Sequence, residues 1–69
     1  MPKPITSGEL TATYRYEWAV TTSSGYLGTI RHMAGIGLYF EGVGYKLTKE
    51  MHLQIADLMT QIEREEENG

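Results

Sequence analysis

A run from Glu9 to Thr21 alternates without interruption between two kinds of side chain. Leu10, Ala12, Tyr14, Tyr16, Trp18 and Val20 fall on one face, and Glu9, Thr11, Thr13, Arg15, Glu17, Ala19 and Thr21 on the other. Successive side chains of an extended strand point to opposite sides, so a period of two demands a strand with one buried and one wetted face. The pattern predicts a single strand over residues 9–21 in an antiparallel sheet whose polar face meets water.

The segments that follow extend this sheet. Thr22, Ser23 and Ser24, closed by Gly25, have turn chemistry. A second strand is expected over residues 26–32. Closing the hairpin over residues 22–24 sets Val20 opposite Tyr26, Trp18 opposite Gly28, Tyr16 opposite Ile30 and Tyr14 opposite His32. A glycine opposite the indole leaves room for the ring to lie across the neighbouring strand. Met33-Ala34-Gly35 reads as a three-residue hairpin loop. A third strand over residues 36–41 then sets Ile36 opposite His32, Leu38 opposite Ile30 and Phe40 opposite Gly28.

After Gly42-Val43-Gly44 the periodicity changes. Thr48 suits a helix N-cap, and Glu50 places negative charge in the first turn. Met51, Ile55, Leu58 and Ile62 recur at helical spacing and form one apolar stripe. A helix is therefore expected over residues 49–65. The predicted fold is α+β: a three-stranded antiparallel β-meander followed by one C-terminal helix packed across its inner face (β-β-β-α). Residues 1–8, which hold both prolines, are expected to be a flexible lead-in, residues 9–65 the single domain, and residues 66–69 a disordered acidic tail.

Composition bounds the chemistry. At 69 residues the chain supports one small core. It has no cysteine, which excludes disulfides and thiolate zinc sites and favours a reducing, cytoplasmic setting. No signal peptide or membrane-spanning segment is expected. Up to Ile62 the acids Glu9, Glu17, Glu41, Glu50 and Asp57 balance the bases Lys3, Arg15, Arg31, Lys46 and Lys49. Glu63, Glu65, Glu66 and Glu67 against Arg64 then carry the whole net charge of −3. A neutral body lacks the broad positive field that non-specific nucleic-acid binding uses.

No catalytic pattern emerges. Gly37 and Gly42 have the spacing of P-loop glycines, but Val43 and Gly44 stand where lysine and a hydroxyl residue are required. On a helix His52 has Thr48 and Ala56 as its i±4 neighbours, so no second metal ligand shares its face. The serines, at positions 7, 23 and 24, have no local base. Tyr14, Tyr16 and Trp18 share the buried face and read as core rather than as a base-stacking platform.

The expectation is therefore a non-enzymatic protein that needs neither cofactor nor metal. It would act as an inhibitor or adaptor by occupying the surface of a larger protein, a mode common among small phage or mobile-element proteins. Candidate partner-binding residues are Leu53, which lies opposite the helix stripe, the tyrosines Tyr26, Tyr39 and Tyr45, and the tail glutamates Glu65, Glu66 and Glu67. The alternative is a nucleic-acid-binding regulator using Arg15, Arg31 and Lys46 on the outer sheet face. A third reading is a structural subunit of an assembly. A homodimer through an open sheet edge or the helix face is weighed evenly against a monomer, and no membrane partner is expected.

Overall fold

A computed structural model describes residues 2–44 and 46–68. Five strands precede one helix: β1 (Ile5–Ser7), β2 (Leu10–Arg15), β3 (Glu17–Thr22), β4 (Gly25–Met33), β5 (Gly37–Gly42) and α1 (Lys49–Asn68). The strands form one antiparallel sheet in the order β1-β2-β3-β4-β5, so each pairs with its neighbour in sequence. The α+β class and the C-terminal helix are as expected. The sheet, however, has five strands rather than three.

The first difference is the run from Glu9 to Thr21. It is a hairpin, not one strand. Arg15 pairs with Glu17 and Tyr14 with Trp18, leaving Tyr16 alone at the apex with φ 69°. A turn of one residue preserves the alternation through it, so the pattern shows no seam. Tyr14 and Trp18 do face inward, with ring centroids 5.3 Å apart at 61°, but Tyr16 is 99% exposed and is not part of the core.

The second difference is at the start of the chain. Residues 5–7 of the expected lead-in pair with β2, Ile5 opposite Ala12 and Ser7 opposite Leu10. Ile5 is buried in the core. Gly8 turns the chain at φ 58°, and a Cβ there would collide with the side chain of Gln54 on α1. The Gln61 side-chain amide donates to the carbonyl of Thr6 at 3.0 Å, tying the β1 edge to the helix.

The register is also displaced. Trp18 pairs with Ile30 and Val20 with Gly28; then Thr21 pairs with Tyr26, so Leu27 is the extra residue of a β-bulge. Leu27 joins the core. Across the next hairpin Ile30 pairs with Phe40 and His32 with Leu38, each two residues on from the expected partner. The loop is Ala34–Ile36, one residue later than expected, with Gly35 at φ 81°. From Gly28 onward the slip is two residues, so the inward parity survives there; before the bulge it is one, so Tyr26, expected opposite Val20 on the inner face, turns outward and Leu27 turns in. Gly28 still lies beneath an aromatic ring, but the ring is Phe40, not Trp18. A Cβ on Gly28 would meet Phe40 Cζ at 2.7 Å, Gly42 Cα at 2.9 Å and the Glu41 carbonyl.

The helix begins as its sequence dictates. Thr48 Oγ1 accepts from the Met51 backbone N–H at 3.1 Å, capping the first turn. Ile55, Leu58 and Ile62 are buried, with Met51 and Met59 packed beside them. They form one cluster with Leu10, Ala12, Trp18, Val20 and Ile30 from the inner sheet face. The helix extends to Asn68, past the expected end at 65, so residues 66–68 of the expected disordered tail are helical.

Two predictions follow from the backbone. Gly28→Val should destabilise by about 1–3 kcal/mol, a large part of the margin of so small a domain. The midpoint of chemical unfolding checks this. Adding Phe40→Leu should not restore it, because the β5 backbone still blocks the new side chain. Tyr16→Gly should act in the opposite direction. A left-handed residue with a Cβ costs about 1–2 kcal/mol, only partly offset by the extra freedom glycine gives the unfolded chain, so the thermal midpoint should rise by a few degrees.

Candidate interaction surface

The strand registers decide which exposed residues are neighbours. With Trp18 level with Ile30, the Tyr16 apex stands beside the end of β4, where Met33 leads into the Ala34–Ile36 loop. The last turns of α1 reach the same end: His32 Nε2 donates to both carboxylate oxygens of Glu66, at 2.8 and 2.9 Å. Three separate pieces of chain thus meet at one end of the molecule. Each presents something unusual. Tyr16 is fully exposed, Ile36 is 75% exposed and Met33 43% exposed. The helix terminus carries Glu63, Glu65, Glu66 and Glu67 and has no basic residue in its last turn.

A cleft of about 320 Å³ opens beside Tyr16. Tyr14, Tyr16 and Trp18 supply its aromatic walls, Glu17 and Glu66 its carboxylates, and Ile30, His32 and the Glu17-paired Arg31 complete it. A second, shallower groove adjoins it, where His32 and Leu38 meet Glu63, Glu66 and Glu67. The cleft pairs a histidine with a carboxylate, half of a nucleophilic constellation, but its lining holds no serine, threonine or cysteine.

The outer sheet face has a different character. Arg31 lies on it near the hairpin tips, where it also lines the cleft beside Tyr16. Its Nε donates to Glu17 at 2.7 Å, Nη2 to the same carboxylate at 3.3 Å, and Nη1 to Glu41 at 3.0 Å. Glu17, through its hydrogen bond and then its charge, pushes the guanidinium pKa further above its ordinary value, with smaller effects from Glu41 and Tyr39. The three charged groups belong to β3, β4 and β5, so the bridge spans three neighbouring strands. Tyr26 shares a hydrogen bond with Thr29 between their hydroxyls, and Thr29 is buried although it sits on the outer face.

The candidate residues do not form one surface. Leu53 is 59% exposed on the outward side of the helix. Tyr39 and Tyr26 lie on the outer sheet face, Tyr39 across from Arg31 and Tyr26 engaged with Thr29. Tyr45 lies outside the described residues. Glu66 and Glu67 line the end of the molecule described above, while Glu65 turns away toward Ile5 and Gln61. The basic set is divided too. Arg15 stands at the β2–β3 apex, Arg31 is held between two acids, and Lys46 lies near Ser24 and Met51 at the other end of the sheet. Tyr16 and Ile36 were hidden in the sequence because each satisfies the alternation expected of a strand, and Met33, expected in the hairpin loop, is the last residue of β4. One signal was available: 13 residues exceeds the roughly 3–10 residues of an ordinary strand, which points to a turn within the run.

Among the described residues, no helix is long and apolar enough to cross a membrane, and no three His, Cys, Asp or Glu side chains come together as a metal site would require. Compared with known proteins, the chain matches no family model, no curated protein and no solved structure at a significant level.

Proposed function

We propose that the protein is a non-catalytic binding module that docks on a larger protein through the end of the sheet bearing Tyr16, Met33 and Ile36. The observation that carries this reading is the convergence of exposed apolar side chains from two hairpin tips onto one end, beside a strongly acidic helix terminus. Isolated exposed apolar residues are ordinary. Tyr16 is different, because its exposed ring is held on a backbone conformation that a bulky residue adopts only at a cost. Tyrosine and methionine are also side chains that protein interfaces favour. Action as an inhibitor or adaptor then needs only that the bound partner lose access to the surface covered.

A nucleic-acid partner has less support. Arg31 has both edges of its guanidinium committed to carboxylates, and Arg15 and Lys46 are at opposite ends of the sheet. Phosphate binding relies on cations that can act together along a surface. A homodimer through β5 is the competing protein-partner reading, because among the described residues no strand pairs with its outer side.

The test is site-specific photo-cross-linking in the native host, with the reactive side chain placed at position 16, 36 or 53. Cross-links to one common protein are expected from positions 16 and 36 and not from 53. A partner captured only from position 53, or only a second copy of this chain, would refute the proposed surface. Separately, titration with DNA and RNA oligonucleotides at roughly physiological salt should give no binding. Salt-dependent binding abolished by Arg15→Ala would favour the nucleic-acid reading instead.

A further inference from the structure

Resting on the reading above, we infer that the cleft beside Tyr16 receives an arginine side chain of the partner, with its guanidinium against the aromatic wall and paired to Glu66. The cleft has about 320 Å³ of space, room for roughly ten waters and so for one long side chain. Tyr14 and Trp18 stand nearly edge to face. Trp18 is almost wholly buried and forms the floor, while Tyr14 is half-buried and Tyr16 exposed at the rim. The accessible ring surface is therefore that of Tyr16 and part of Tyr14, and a π face attracts a cation with no comparable attraction to an anion.

Charge selects the same ligand. Glu66 enters the cleft, and both its oxygens meet the single proton of His32 Nε2. A carboxylate has about four acceptor positions, so outward lone pairs remain for a second donor. Glu63 and Glu67 line the groove next to it. The carbonyl end of the α1 dipole adds negative potential, with no basic residue in the last turn to oppose it. The cations nearby do not cancel this. Arg31 and Glu17 both line the cleft but pair with each other, and Arg31 also reaches Glu41, which leaves Glu66 as the carboxylate for a ligand. Arg15 stands at the same apex, across from Glu17, and is not part of the lining. Arg64 lines a different recess with Ile5 and Gln61. Arginine fits better than lysine because its planar group can lie flat on a ring and present two donors to one carboxylate.

The experiment is an NMR titration of the full chain with the blocked tripeptide acetyl-Gly-Arg-Gly-amide, and with its citrulline counterpart, which has nearly the same shape and no charge. Saturable shifts of the Trp18 indole N–H and the Tyr14 ring are expected with the arginine peptide. Binding of the citrulline peptide should be about tenfold weaker, and Glu66→Gln should weaken the arginine peptide by a similar factor. Tyr16→Ala, which leaves the core untouched, should also weaken it. The inference fails if the shifts do not saturate, if citrulline binds equally well, or if acetyl-Gly-Asp-Gly-amide binds more tightly. No partner is needed for this titration. Failure here with cross-linking from positions 16 and 36 intact would remove the arginine and leave the docking surface standing.

Discussion

The burial of Ile55, Leu58 and Ile62 against the inner sheet face is the contact on which the rest of the molecule depends. A five-stranded sheet has two faces, and this chain has one helix to cover them. The inner face is accordingly apolar and the outer face is built to stand in water. Threonines, alanine, the two tyrosines Tyr26 and Tyr39 and the Glu17–Arg31–Glu41 bridge occupy it, so most of what it exposes is polar. The helix must also reach from β5 back to β1, which fixes its direction and brings its acidic end to the tips of two hairpins. The proposed docking surface is thus a by-product of covering the sheet: no separate element is devoted to it.

Much of the architecture was legible in the chain because each piece of evidence was local. The Met51, Ile55, Leu58 and Ile62 stripe, the Thr48 cap and the inward set Leu10, Ala12, Trp18, Val20 and Ile30 depend on periodicity and short-range hydrogen bonding, which sequence displays directly. What failed was phase. The Tyr16 turn has no glycine, asparagine or proline to announce it, and a one-residue apex leaves parity unchanged. The bulge at Leu27 exchanges the faces of Tyr26 and Leu27, and since both are strand-forming residues the sequence does not mark it. A short first strand, Ile5–Ser7, is too brief to show a period of its own.

The same reasons explain the scatter of the candidate residues. Exposure on a helix wheel or a strand parity assigns a face but not a place along it. Leu53 and Tyr39 were correctly placed away from the core, yet they lie on opposite sides of the molecule. Arg31 has the charge for recognition but is already satisfied by Glu17, which is adjacent only once the hairpins are in register. Conversely, the cleft beside Tyr16 depends on contacts between residues 14–18, residue 32 and residue 66. No pattern within a short window of sequence encodes that meeting.

The strictly sequential order of the strands has a consequence for how the chain is knitted. Each sheet connection spans between one and three residues, at Gly8–Glu9, Tyr16, Ser23–Ser24 and Ala34–Ile36. Almost all pairing therefore joins segments close in sequence, the topology associated with rapid folding for a sheet protein. The distant closure is the seam between α1 and β1, where Gln61 reaches Thr6 across a separation of 55 residues. That seam behaves as a clasp: its parting would leave every pairing from β2 to β5 in place. The seam is the outer margin of the larger closure of α1 over the inner sheet face, and any force that separates the start of the chain from its helix acts there first.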